Sequence, residues 1–448
     1  MFPHLDIAVL PRTYQGLFDR FVRVRSWRAD LLSNFVTTVG ISACGMLTGL
    51  MVARLLGPDG RGGLAAAVIW PMFIVGVVGF GQAQSVTYFS GKLRHNAGQV
   101  MGSALVIGLF QGLLGCMVGW WLIPMVLSGQ TRSVIDMSRW CLLVMLAGMG
   151  MSYSLFVLQG TAQFLAWNVA RLAGPISYLA VIVIYWLFDV HRPMAVAWAI
   201  LATSSFQSLI GLIWVARTET VRFAFHLVKP LMQYGGRSWL ASIPIMMNAR
   251  LDQLVMSVFI PPVELGCYAV AVAWAGITLP ISSAIANTTF AHVAGAAADS
   301  EGHATAARAF RYGLFANLIA AGALCIGTPL LLPLLFGDRY TPSVVPGIIL
   351  VLASVFSGMN YIVSDSLRGM NRPLEPAIAE GVGLLMTGLG LAILLPVWGI
   401  LGAALASLLS YVTTFVVLVI LLSRASRADW RVLFDLRSAL GRIRGWST

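Results

Sequence analysis

The sequence predicts an all-α integral membrane protein, with twelve transmembrane helices in two six-helix lobes related by a pseudo-two-fold axis along the membrane normal. Three observations carry that expectation. Of 448 residues, 58% are apolar and only 10% charged, with mean hydropathy +0.84. A soluble domain carries about 25% charged residues. Apolar runs near the roughly 20 residues needed to cross hydrocarbon recur twelve times. Finally, one glycine-proline turn returns with the same neighbours half a chain later.

The spans are read at 33–55, 62–90, 99–127, 138–162, 166–188, 194–216, 236–260, 266–294, 311–336, 343–368, 374–396 and 399–423. Residues 33–216 form the N-lobe and 236–423 the C-lobe, joined by a cytoplasmic linker at 217–235. Pro71, Pro175, Pro244 and Pro280 fall inside spans, where a missing backbone donor predicts kinks. Residues 1–32 hold five arginines and no A-x-A-like cleavage site, so the first span is expected to remain as the insertion signal.

Basic residues set the orientation. The termini and every second loop hold twenty-one Lys and Arg, the opposite side six, and Arg171 and Arg250 lie within spans. Both termini are therefore expected in the cytoplasm. The net charge of +12 sits beside apolar spans, where it meets lipid headgroups. No basic run alternates with aromatics as a base-stacking surface requires, so nucleic acid is not an expected partner. In "LFDRFVRVRSW" (17–27) and in the tail 424–448, apolar residues recur at helical spacing among arginines, predicting amphipathic helices on the inner leaflet. The five cysteines fall at irregular spacing within spans and imply neither disulfides nor a metal, and no cofactor is expected.

The repeat rests on two matches. An offset of 204 sets "LLGPDGRGGLAAAVIW" (55–70) against "FIPPVELGCYAVAVAW" (259–274). Pro58 then meets Pro262, Gly62 meets Gly266, and Trp70 meets Trp274. An offset of 209 sets "LQGTAQ" (158–163) against "LRGMNR" (367–372), and Gly174 against Gly383. Six spans is an even number, so the halves share one orientation. The repeated turn is then a hairpin connector in each lobe, with small residues that let the next helix pack closely.

A first span containing Asn34 and closing on "ARLLGPDGRGG", followed by a seventh reading "NARLDQLVMSVFIPPVELGCYAVA", resembles the polysaccharide transport family. Asp252, Gly266 and Tyr268 stand at that family's aspartate, turn and Gly-x-Tyr positions. These are lipid-linked oligosaccharide flippases of the multidrug/oligosaccharidyl-lipid/polysaccharide export superfamily. The resemblance implies a V of two lobes around a cavity that opens alternately to each side. Its implied cargo is a polyprenyl-diphosphate-linked glycan repeat unit for O-antigen, capsule or exopolysaccharide. It also implies a bacterial inner membrane location, with a polysaccharide polymerase or chain-length regulator as a partner. The relatives that flip peptidoglycan precursors carry fourteen spans, two more than are counted here.

Charged side chains at bilayer depth cost several kcal/mol, roughly 2.5–3.5 on insertion scales, and face protein or a wet cavity. Arg250 and Asp252, two residues apart on a helix, would point about 200° apart and cannot pair simply. Asn248 and Asp252 would share a face. Arg171 in span five aligns with Glu380 in span eleven, an arginine in one lobe against an acid in the other. An arginine fork suits diphosphate oxygens, which nominates Arg250, Arg171, Arg54 and Arg368 for cargo. Gln82 and Tyr88 are nominated to hydrogen-bond sugar along the path. Asp252, Asn248 and Glu380 are nominated for a coupling proton or sodium ion. Structural ion pairs that set helix register, or an Arg54 that merely snorkels, are the plain alternative to each.

Enzymatic chemistry is not expected. The outer loops are short, and the longest inner ones, near 217–235 and 295–310, hold neither clustered carboxylates nor metal-ligand spacing. "GFGQAQSVTYFSG" (79–91) lacks a phosphate-cradle pattern. The rival carrier is a cation-coupled drug or metabolite antiporter of the same superfamily, which a cavity rich in acids would favour.

Overall fold

The computed structural model describes residues 27–294 and 299–426, and these are helical with no strand among them. The amphipathic segments expected at 17–27 and in the tail lie outside the described residues, apart from Trp27 and the first residues of the tail. Among the described residues, eight helical segments are long and apolar enough to cross a membrane, or nine counting the bent pair Arg132–Ala147 and Met149–Gly160, which turns by 49°. The protein is thus a multi-pass membrane protein.

The helices are α1 (Trp27–Val78), α2 (Gln82–Lys92), α3 (Ala97–Val126), α4 (Arg132–Ala147), α5 (Met149–Gly160), α6 (Phe164–Leu187) and α7 (Pro193–Thr218). They continue with α8 (Phe225–Asn248), α9 (Leu251–Phe259), α10 (Pro262–Ala275), α11 (Leu279–Ala294), α12 (Asp299–Phe336), α13 (Val344–Gly369) and α14 (Leu374–Ser426). α12 corrects the sequence reading, because most of the inner loop expected at 295–310 belongs to this 38-residue helix.

Helix α3 shows how apolar sequence becomes tertiary structure in lipid. Gly108, Gly112, Gly115 and Gly119 recur every three or four residues and are buried against α4 and α5. A methyl group on Gly108 would lie 2.5 Å from the Gly150 Cα, so the backbones touch. The opposite face presents Phe110, Met117 and Trp121, each more than 60% exposed. Small residues inward and large residues toward lipid is the arrangement that packing without a hydrophobic drive requires.

Two of the mid-span prolines do not mark breaks. Pro71 lies inside an unbroken stretch of α1, and Pro175 inside α6. The chain instead breaks at Gly57, at Gly79–Gly81, at Gly148, at Ala249–Arg250, at the 3-10 turn Gly276–Thr278 beside Pro280, and at Gly399. Gly57 has φ 67° and ψ 178°, a conformation essentially confined to glycine.

The repeated turns meet each other. A Cβ on Gly62 would collide with the Pro262 carbonyl, and a Cβ on Gly266 would come 2.0 Å from the Pro58 carbonyl. The contact is reciprocal between aligned residues. Two hydrogen bonds beside it follow the same exchange. Gln130 Nε2 donates to Ser257 O at 2.9 Å, and Tyr340 Oη donates to Ala53 O at 2.9 Å. Ser257 and Ala53 are 204 apart, Tyr340 and Gln130 are 210 apart.

The second sequence match also has a structural counterpart. Ala162 and Asn371, 209 apart, both have positive φ, 60° and 61°. Gln163 N bonds Leu158 O at 2.9 Å and Arg372 N bonds Leu367 O at 3.0 Å, so both helices end in the same left-handed cap. Asp189 between α6 and α7 and Gly399 inside α14 are 210 apart, with φ 51° and 52°.

Gly62→Leu places a side chain where the Pro262 carbonyl stands, an overpacking cost of roughly 1–3 kcal/mol. Spin labels on Asp59 and Val263 are expected to show a longer distance population in this variant than in the wild type. An unchanged distance distribution would mean that the glycine contact does not hold the two turns together.

Candidate functional site

The expected seventh span is two helices, and the break lies within the candidate site. α8 ends at Asn248, Arg250 caps α9, and Asp252 falls in the first turn of α9. The assumption of a continuous helix, on which the opposed directions of Arg250 and Asp252 and the shared face of Asn248 and Asp252 rested, is therefore corrected. Arg250 is exposed and makes no side-chain hydrogen bond or ion pair among the described residues. Asn248 and Asp252 are both buried.

Two polar clusters grow from these buried residues. Asn248 Nδ2 donates to Glu380 Oε2 at 2.8 Å, while its Oδ1 accepts from Thr387 at 2.7 Å and Ser410 at 3.0 Å. Gly383 makes room for this, since a Cβ there would lie 2.0 Å from Thr414 Oγ1 and 3.1 Å from Asn248 Nδ2. Asp252 Oδ1 accepts from the Gln253 amide at 2.7 Å, and its Oδ2 accepts from Tyr268 at 2.6 Å and Ser407 at 3.4 Å. The assembled atoms are carboxylate, carboxamide and hydroxyl oxygens, the ligands a hard cation or a proton takes. Among the described residues no three His, Cys, Asp or Glu side chains gather to hold a metal.

The other nominated residues divide. Arg368, at the end of α13, pairs with Asp365 at 2.9 Å. Tyr361 on the same helix is half exposed and within electrostatic reach of Arg250, Arg368 and Glu380. Arg171 is half buried with its guanidinium 4.2 Å from the Trp167 ring centre. The sequence alignment of Arg171 with Glu380 does not become a contact: Arg171 stacks on Trp167 and Glu380 is bound by Asn248. Arg54 donates from Nε to Leu335 O at 2.6 Å and from Nη2 to Leu334 O. It therefore serves the carbonyl end of α12, where helix polarity favours a cation.

Gln82 is fully buried, with Nε2 toward Leu231 O at 3.5 Å and the Met232 sulfur at 3.2 Å, and its Oε1 has no partner. Tyr88 stacks on Tyr234 at 4.5 Å and 10°, tying α2 to α8. Between them, Gly81 packs on the Gly235 carbonyl and Ser85 donates to Leu231 O at 2.8 Å. Gln82, Gly81 and Trp239 line a cavity of about 350 Å³ between the α1–α2 break, α5 and α8.

Sequence reasoning missed Thr387, Ser407 and Ser410. Ser407, Ser410 and Thr414 repeat every three or four residues in an apolar helix, a polar stripe readable in the sequence. Gln130, Tyr340 and Trp239 left no such signal.

Solved structures share this fold. Lipid II flippase MurJ in an inward closed conformation aligns at TM-score 0.75 and 13% identity, over 89% of this chain and 88% of that one. An inward-facing multidrug resistance MATE transporter aligns at 0.64 and 14%, over 92% and 98%. The MATE multidrug transporter DinF-BH aligns at 0.63 and 14%, over 91% and 96%. The class is thus the multi-pass helical fold common to MurJ and MATE proteins. Within it, this chain belongs to the polysaccharide biosynthesis protein family, whose pattern it matches over residues 51–345. A probable low-salt glycan biosynthesis flippase, Agl15 of Haloferax volcanii, is 23% identical over 197 residues. That match spans 43% of this chain and 42% of the relative, about two fifths of its length.

Asn248→Ala leaves Glu380, Thr387 and Ser410 without their common partner and is expected to destabilise the detergent-solubilised protein by about 1–3 kcal/mol. A double-mutant cycle with Thr387→Val, read by thermal unfolding, is expected to show coupling. Additive losses would mean that the two side chains act independently.

Proposed function

We propose that the protein is an alternating-access flippase that carries polyprenyl-diphosphate-linked oligosaccharide from the cytoplasmic to the outer leaflet for polysaccharide assembly. The observation that carries the reading is Arg250. This arginine is exposed and makes no side-chain hydrogen bond or ion pair among the described residues, at a helix break beside the buried Asp252, in a chain of the polysaccharide biosynthesis family. An unpaired cation at bilayer depth calls for an anionic occupant, and a guanidinium fork matches a diphosphate. Arg368 and Tyr361 extend the same site, and Arg171 is a second cation of the cargo path. Asn248, Glu380 and Asp252 bind the coupling proton or sodium ion. The protein is a carrier and not an enzyme.

The architecture proposed with this function is twelve spans in two lobes, N-lobe 33–216 and C-lobe 236–423. Gly57 and Gly399 each divide a long segment into two spans, and α4–α5 and α8–α9 each count as one. The shared caps at Ala162 and Asn371 and the reciprocal contact of Gly62 with Gly266 support a two-fold relation between the lobes. By the distribution of basic residues, the Gly62 end faces outward and both termini face the cytoplasm. With the two turns in contact at that end, the lobes are closed to the outside. The membrane is a bacterial inner membrane. A cation-coupled drug antiporter is the second reading, favoured by the hydrogen-bonded acids Asp252 and Glu380 and the MATE-like fold. The unpaired arginine weighs against it.

Deletion of the gene is expected to trap lipid-linked repeat units on the cytoplasmic leaflet and abolish surface polysaccharide. Arg250→Ala and Asp252→Ala are each expected to give the same phenotype with normal membrane insertion. Unchanged glycans together with altered drug tolerance would support the antiporter instead.

A further inference from the structure

In the last three turns of α13, from Gly358 to Arg368, every residue is buried except Tyr361, Asp365 and Arg368. Spacings of four and three put these side chains on one helix face. Charged side chains in a membrane-spanning helix face protein or a water-filled cavity rather than lipid. The repeat points the same way. At the offset of 209, Tyr361 and Asp365 take the places of Ser152 and Phe156, which line the cavity beside α5. Arg368 takes the place of Gln159. The same face is thus neutral in one half of the chain and charged in the other.

The cations around this face are unequally engaged. Tyr361 is half exposed and within electrostatic reach of both Arg250 and Arg368. Arg250 makes no ion pair among the described residues, whereas Arg368 donates from Nη1 to Asp365 Oδ1 at 2.9 Å. A guanidinium has five N–H donors, and this bond uses one. The other acid within reach of Arg368, Glu380, is already bound by Asn248. A pair three residues apart on one helix, with Arg368 39% and Asp365 18% exposed, contributes little to stability. A phosphate that offers two oxygens to the guanidinium fork is the stronger partner. The pair is therefore exchangeable.

We propose that Asp365 is an internal counter-anion that occupies Arg368 in the empty carrier and yields it to one phosphate of the cargo, while Arg250 takes the other. Asp365 acts through Arg368 and is a positioning residue. The inference rests on the flippase reading and adds to it a reason that the cargo can leave. A carboxylate beside the site competes for Arg368 and repels the bound diphosphate. Two unopposed arginines would bind more tightly and release more slowly.

The test is binding of radiolabelled polyprenyl diphosphate to the purified full-length protein in nanodiscs of zwitterionic lipid, with the uncharged polyprenol as control. Asp365→Asn is expected to bind the diphosphate about fivefold more tightly than wild type, the worth of one exposed ion pair, and to release it more slowly. A damaged fold does not produce such a gain. Asp365→Ser carries the same expectation. Arg368→Gln is expected to bind about fivefold more weakly, and adding Asp365→Asn to it should restore little. Affinity that is unchanged or lower in both Asp365 variants would overturn the counter-anion and leave the flippase reading standing. So would an Arg368→Gln variant that binds as wild type does, or a full gain from Asp365→Asn without Arg368. Wild type that binds the diphosphate no better than polyprenol would overturn both.

Discussion

A backbone carbonyl released at the end of a helix inside a bilayer has no water to bond, and leaving it bare costs several kcal/mol. The two halves of this chain are held together where that requirement is met across them. Gly57 and Pro58 free the last carbonyls of the first half of α1, and Tyr340 answers Ala53 O while His191 answers Leu55 O at 2.7 Å. The end of α9 frees Ser257 and Ile260, and Gln130 answers both, at 2.9 and 3.3 Å. The end of α12 is answered by Arg54. Each donor comes from a distant part of the chain. Satisfying local backbone therefore also sets the tertiary arrangement.

The same constraint shapes the site. Unwinding α8 from α9 is tolerated because the adjacent side chains are bonded within the protein. Asn248 on one side of the break and Asp252 on the other each gather three partners, most of them from α10 and α14. Arg250, between them, gathers none among the described residues. This short stretch thus holds one bonded acid, Asp252, and one exposed cation, Arg250.

Glycine performs two jobs that apolar residues cannot. At Gly62, Gly266, Gly81 and Gly383 it admits a carbonyl or a polar side chain at distances a Cβ would forbid, so polar atoms reach one another through a greasy interior. At Gly57 it adopts a backbone conformation closed to other residues. The repeated turn of the sequence combines both uses, which explains a charged, glycine-rich interruption in so apolar a chain.

By itself the sequence determined the membrane-protein class, most of the apolar segments, the two repeat offsets and the charges that interrupt apolar sequence. These follow from composition, from spacing and from the cost of charge in lipid, all of which act along the chain. The match of 158–163 with 367–372 was legible for the same reason, while its left-handed caps at Ala162 and Asn371 came from the structure. Tertiary structure decided what each charge does. Arg54 turned to helix carbonyls, Glu380 to Asn248 and not to Arg171, and Arg250 to no partner among the described residues. It also decided that helices break at glycines, at Ala249–Arg250 and at the 3-10 turn beside Pro280, but not at Pro71 or Pro175. A proline removes one donor that a neighbour can replace, whereas a break needs distant groups to satisfy several. Only the folded chain brings those groups together.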